Sequence, residues 1–326
     1  MYDPFLRGPH SVGVRTIQAY DPARDRLFPC EIWYPAAVQP GGQDLSPEIR
    51  DATPLPGTHP LVVYSHPSLG RRRAATFLCT HLSSHGYVVA ALDHSELIAS
   101  DLAAKPDETA EQRTARAEAW AANRVPDLVF LIDRVLHGEI LIDPARIGAV
   151  GHSFGGWTVL AAPNVEPRIR AVVALAPAGS SHTKPGIIPA RLAFHWTRDV
   201  PALYLVADED VCLPLTGMFE LFERTPAAKR MFILRRADHL HFMDNVEQQH
   251  ETVRAMKFPG ELAWISEEMR PITELCSGDQ AHLFVRGLTL CHMDATLRQK
   301  EEAERFLAGD LAGELARRGV GIIVHK

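Results

Sequence analysis

The sequence predicts an α/β fold, a mostly parallel sheet with helices on both faces. Three observations predict it. Short runs such as PLVVYSH, YVVAALDH and ARIGAVGHS are apolar along nearly their whole length, as strands buried on both faces are. Segments of helical spacing alternate with them. The first two extended segments alternate with period two, as an antiparallel hairpin does.

In chain order, SVGVRTIQAYD and LFPCEIWYPA form the hairpin, joined by a DPARDR turn. Residues 37 to 58 are rich in Pro, Gly and polar residues and read as a loop. PLVVYSH is a buried strand. AATFLCTHLSSHG is a helix closed by glycine, and YVVAALDH is a second buried strand. Residues 95 to 120 read as a solvated helical excursion, followed by the amphipathic helix VPDLVFLIDRVLHG opened by Pro126. ARIGAVGHS is a strand and FGGWTVLAA a helix. AVVALAPAG, PALYLVADED and KRMFILRRADH are three more strands. ATLRQKEEAERFLAGDLAGELARRG reads as one long terminal helix.

The chain has 326 residues, 46% of them hydrophobic and 23% charged, enough for one sizeable core. It contains no internal repeat and no low-complexity linker, so residues 1–326 read as one domain. Two insertions, about 95–125 and 241–285, are expected to fold over one edge as a partial lid. The net charge of -6 argues against nucleic acid as a partner. No window holds the roughly 18 apolar residues of a membrane span. The start, MYDPFLRGPHSVGVRT, lacks a basic end followed by an apolar run, so no signal peptide is expected. Five scattered cysteines without a CxxC spacing read as reduced thiols, which places the protein in the cytoplasm.

Chemistry concentrates in IGAVGHSFGGWTVLAA. Gly151-His152-Ser153-Phe154-Gly155 is a G-x-S-x-G, weak as a bare pattern. Here a buried strand ends at it and an apolar helix starts from it, the setting of a nucleophile elbow. Small neighbours let strand and helix approach, and the Phe154 amide at the helix start points at developing negative charge. A serine hydroxyl needs a histidine to take its proton and a carboxylate to hold that histidine. In this arrangement their order is Ser, acid, His. The strand PALYLVADED ends in Asp208-Glu209-Asp210. Asp210 stands furthest into the loop and is the expected acid, with Asp208 the alternative. KRMFILRRADHLHF offers His239 as the base, His241 being a wall or plain loop residue. A metal site from His239, His241 and Asp244 has an H-x-H-x-x-D spacing that matches no hydrolase metal signature. The second oxyanion amide is expected from YSHPSLG, where Ser68 has an N–H and Pro67 has none. Arg71, Arg72 and Arg73 read as a solvated helix start, or alternatively as a rim attracting acidic substrates.

These residues resemble the α/β-hydrolase superfamily, and within it the dienelactone-hydrolase-like proteins related to platelet-activating-factor acetylhydrolase. The resemblance runs from VGVRTIQAYDPARDRLFPCEIWYPA through PLVVYSHPSLG, HGYVVAALDHSE, IDPARIGAVGHSFGG and ADHLHFMD to LFVRGLTLCHMDATLRQKEEAERFL. It implies Ser153, Asp210 and His239 as catalytic residues, and the Ser68 and Phe154 amides as the oxyanion hole. Two departures stand out. The family's His-Gly-x-Gly is His66-Pro67-Ser68-Leu69 here, and its glycine before the acid loop is Ala207.

The expected function is a serine hydrolase cleaving a carboxylic ester with a small or short acyl group, with no metal or organic cofactor. The rivals are an amidase or thioesterase using the same residues, a non-catalytic ligand-binding member of the fold, and a metal-dependent hydrolase. Candidate pocket residues are His66, Leu69, His152, Trp157, Trp196, His241 and Trp264, with core packing the alternative for each tryptophan. The partner is a small-molecule ester or amide, and a homodimer is allowed.

Overall fold

The computed structural model describes residues 2–37, 48–105, 108–188, 190–258 and 260–325. Residues 38–47 of the expected loop, and 106–107 and 259 of the expected insertions, lie outside the described residues.

The strands are β1 (Ser11–Asp21), β2 (Arg26–Ala36), β3 (Ile49–Arg50), β4 (His59–Ser65), β5 (Val88–Leu92), β6 (Ile142–His152), β7 (Ile169–Leu175), β8 (Ala202–Ala207), β9 (Lys229–Leu234) and β10 (Ile322–His325). They form one sheet in the order β10-β9-β8-β7-β6-β4-β5-β2-β1-β3. Strands β4 to β9 are paired in parallel. The β1–β2 hairpin and β10 add antiparallel edges. The mostly parallel sheet with an antiparallel N-terminal hairpin is the one the sequence predicts.

The helices are α1 (Thr76–Ser84), α2 (Ser95–Ile98), α3 (Ala110–Leu136), α4 (Phe154–Ala161), α5 (Leu215–Arg224), α6 (Val246–Ala255), α7 (Trp264–Glu268), α8 (Gly278–Leu297), α9 (Glu301–Ala308) and α10 (Leu311–Ala316). Successive side chains of a strand face opposite ways. Val62 and Tyr64 of β4 therefore join the core under α1 and α8–α10, while Leu61 and Val63 join the core under α3, α4 and α5.

Three helical expectations need correction. Pro126 does not open a helix. It lies inside α3, which starts 16 residues earlier at a Thr109–Gln112 capping box. Proline there deprives only the carbonyl of Ala122, and both residues are exposed, so water can take that bond. Leu128, Leu131 and Ile132 hold the rest of the helix in the core. The expected terminal helix is three helices. Gln299 turns the chain at φ 54°, and Asp310 starts α10 afresh by accepting from the Gly313 amide. Helix α8 belongs to the core over most of its length, so its first residues, 278–285, are not part of a lid as the expected second insertion, 241–285, had them. The residues of the first expected insertion form α2 and the largely exposed first half of α3.

Candidate active site

Strand β6 ends at His152 and α4 begins at Phe154, leaving Ser153 alone in the turn. Its backbone sits at φ 58°, ψ -115°, which side-chain-bearing residues rarely adopt. Glycine is required on both sides by close approach. A Cβ on Gly151 would stand 2.1 Å from the Gly155 carbonyl oxygen, and one on Gly155 would stand 1.9 Å from the Ser65 carbonyl oxygen. The Ser153 amide is tied to the Leu175 carbonyl at 2.9 Å, so the strained turn is anchored to β7.

The three acids after β8 do three different things. Asp208 accepts from the Ala237 amide at 3.3 Å, and Glu209 pairs with Arg270 at 3.2 Å. Asp210 places Oδ2 2.7 Å from His239 Nδ1, while its Oδ1 accepts the Cys212 and Leu213 amides at 2.9 and 2.8 Å. Those amides fix the carboxylate before it meets the ring. His239 starts a single 3₁₀ turn, His239–Phe242, after β9. Burial disfavours its charged form, but the charge of Asp210 and the bond to it outweigh burial and raise its pKa above the ordinary histidine value. The His239 ring lies 4.7 Å from that of His152, the residue before Ser153.

The expected oxyanion loop follows β4. Pro67 to Gly70 make a tight turn closed by the Gly70 amide on the Pro67 carbonyl at 3.0 Å. Leu69 takes the third position at φ 61°, where glycine is the usual choice, and is 80% exposed.

Several expected pocket residues are not wall residues. His66, His152 and His241 are fully buried. His241 Nδ1 is 2.7 Å from Asp238 Oδ1, and its Nε2 donates to the Cys276 carbonyl at 3.0 Å. His152 is held neutral by burial and by the neighbouring His239. Trp196 donates to the Leu160 carbonyl at 3.0 Å, near the far end of α4, about 9 Å along the axis from Phe154 at 1.5 Å per residue. Trp264 donates to the Pro185 carbonyl at 3.1 Å, joining α7 to the 184–186 loop. Trp157 is half-buried against Phe154 at 5.5 Å.

The metal candidates part company as well. Asp244 accepts the Thr76 and Phe77 amides at the start of α1, at 2.7 and 3.1 Å, away from the partners of both histidines. Among the described residues no three His, Cys, Asp or Glu side chains are grouped to hold a metal ion. Of the three arginines, Arg72 pairs with buried Asp93 at 2.6 Å and Arg73 with buried Glu31 at 2.9 Å. Only Arg71 extends into solvent.

One network escaped the sequence reading. Ser65 Oγ lies 2.8 Å from His94 Nε2, and His94 Nδ1 lies 3.1 Å from Asp127 Oδ2. This second Ser-His-Asp set is sealed, with no member more than 2% exposed, so no ester carbonyl reaches Ser65. Asp127 also accepts from the Ser95 amide at 2.8 Å, from Ser95 Oγ at 2.7 Å and from Arg24 at 2.6 Å. The set ties the ends of β4 and β5 to α3. Its signal in the sequence is two charged residues, Arg124 and Asp127, on the apolar face of a helix.

The chain as a whole superposes on a ferulic acid esterase from Streptomyces cinnamoneus with a TM-score of 0.66, at 22% identity, over 97% of this chain and 96% of that one. The fold is thus an α/β-hydrolase fold. Cutinase est1 from Thermobifida alba is 24% identical over 229 residues, 69% of this chain and 67% of that protein. The family described as PETase, PET hydrolase-like, matches residues 56–286, which run from the start of β4 into α8 and include the elbow, the acid loop and His239. With more than half of its length matched, the chain belongs to the PET hydrolase-like family.

Proposed function

We propose that the protein is a serine hydrolase that cleaves carboxylic esters with Ser153 as nucleophile, His239 as base and Asp210 as its orienting acid. The observation that carries this reading is the Asp210–His239 pair at 2.7 Å, whose histidine ring lies 4.7 Å from that of His152, the residue before the serine in an elbow backbone. His239 takes the Ser153 proton as the oxygen attacks the ester carbonyl, then returns it to the leaving alcohol. The amides of Ser68 and Phe154 receive the oxyanion. Water repeats the sequence on the acyl-enzyme, and the serine is restored.

Esters are favoured over amides because the family and both relatives carry names of ester-cleaving enzymes. The narrower likeness to dienelactone-hydrolase-like and acetylhydrolase-like proteins supports a small acyl group. So does the oxyanion loop, which carries Pro67 and Leu69 where that likeness has glycine. The two insertions act as a partial lid. Five free cysteines, four of them buried, support a reducing compartment. Among the described residues no helix is long and apolar enough to cross a membrane.

The test is hydrolysis of p-nitrophenyl esters, acetyl through octanoyl, by the parent and by Ser153→Ala. Turnover favouring short chains and lost by at least about a thousandfold in the variant is the expected result. A parent inactive on every ester, or an active variant, overturns the proposal.

A further inference from the structure

Helix α3 sends one arginine into the interior beneath the expected oxyanion loop. Arg124 is fully buried. Its Nη1 donates to the His66 carbonyl at 2.6 Å and approaches Ser65 Oγ at 3.5 Å. Its Nη2 reaches the Pro67 carbonyl at 3.4 Å and is ion-paired with Glu96 of α2, itself closed off from solvent. The guanidinium carbon stands 4.5 Å from the centre of the Phe154 ring.

We propose that Arg124, fixed by Glu96, is a positioning residue that sets the geometry of both oxyanion-binding amides. In a planar trans peptide the carbonyl and the following N–H point in opposite directions. The Pro67 carbonyl is drawn inward by Arg124, by His66 Nδ1 at 2.8 Å and by the Gly70 amide. The Ser68 N–H, in the same peptide plane, is thereby turned outward. The other donor belongs to Phe154, whose ring rests on the same guanidinium. One planar cation thus touches the carbonyl of the peptide that carries one donor and the ring of the residue that carries the other, and only a fork of fixed shape can bridge two carbonyls, a carboxylate and a ring face at once.

Stability does not explain this pair. Replacing a buried ion pair with apolar side chains of similar volume is commonly neutral or stabilising. The inference rests on the serine-esterase reading, since the amides matter only where an oxyanion forms.

The test pairs the double variant Arg124→Met with Glu96→Met, which leaves no lone buried charge, with Arg124→Lys, which keeps the charge and loses the fork. Should the double variant fail to fold, Arg124→Lys carries the test. Circular dichroism reads folding, p-nitrophenyl acetate hydrolysis reads kcat and KM, and hydrogen exchange reads the peptide spanning residues 64–72. The expected result is a folded protein with KM within about threefold of the parent, kcat lower by about a hundredfold, and faster exchange in that peptide. A folded variant with kcat within about threefold of the parent overturns the proposal, because a merely structural role moves stability and not kcat. A parent without ester turnover overturns the esterase reading instead. Exchange then still tests the clamp: unchanged exchange at 64–72 overturns it, and faster exchange supports it.

Discussion

His239 Nδ1 lies 2.7 Å from Asp210 Oδ2, and the same Asp210 is held through Oδ1 by two backbone amides of its own loop. The carboxylate is therefore placed before the histidine arrives, and it selects which ring nitrogen carries the proton.

Asp210→Asn keeps the shape and removes the charge, and an amide presents its N–H to the wrong tautomer. Its kcat for p-nitrophenyl acetate is expected to fall by about ten thousandfold. Asp208→Asn, which touches the Ala237 amide instead, is expected to stay within about threefold of the parent. Equal losses in the two variants would remove Asp210 from the acid role.

The pH profile follows from the same contact. A histidine can act as a base only when neutral, and Asp210 raises the pKa of His239 above the ordinary value of about 6.5. The acid limb of kcat/KM is therefore expected above pH 6.5, with activity rising as pH rises through it. In residual Asp210→Asn activity that limb moves to lower pH. A limb unmoved between parent and variant would mean that another group controls it.

Gly155→Ala tests the elbow. The added methyl would stand 1.9 Å from the Ser65 carbonyl oxygen, and backbone cannot move aside cheaply. Urea unfolding is expected to show a loss of about 2 kcal/mol or more, accompanied by loss of ester hydrolysis. A fully stable, active Gly155→Ala protein would contradict the packing described here.

Asp238 predicts a stability profile. It sits between His241 at 2.7 Å and His250 at 2.6 Å, and each ring also donates to a carbonyl, of Cys276 and Arg270 respectively. Against the effect of burial, Asp238 raises both histidines, His241 up to about 10. The histidines in turn hold the Asp238 carboxyl well below its usual range, again against burial. A raised histidine stabilises fully below its unfolded pKa, and that contribution disappears as pH rises through the folded value. A depressed carboxyl stabilises above its unfolded pKa of about 4 and loses its effect as pH falls toward the folded value. The cluster therefore stabilises most between about pH 4 and 6.5 and declines toward pH 10. Thermal melts of Asp238→Asn are expected at lower Tm than the parent near pH 5.5, with the gap narrowing by pH 9.5. A gap constant across that range would count against the cluster.

What could be read in the chain was what neighbours in sequence decide. The buried strands show as apolar runs because both faces of a parallel sheet are covered, so β4 to β9 were all visible. Ser153 stood out because an elbow's demands fall within five residues, Gly151 to Gly155. The breaks between the three C-terminal helices leave no mark in the sequence pattern, because they come from Gln299 and Asp310, whose turn geometry leaves no gap in the apolar spacing.

Partnership across the chain was decided only by the tertiary structure. Asp208 and Asp210 share one turn, and His239 and His241 share another, so local spacing ranks them without separating them. Packing sends Asp210 to His239, Asp238 to His241 and Asp244 to the start of α1. The sealed Ser65–His94–Asp127 network and the reach of Arg124 beneath the loop after β4 join residues from three separate elements. Composition and periodicity record which face of an element is buried. Which buried polar groups meet depends on how those faces stack, because each must find its hydrogen-bond partner in the assembled interior.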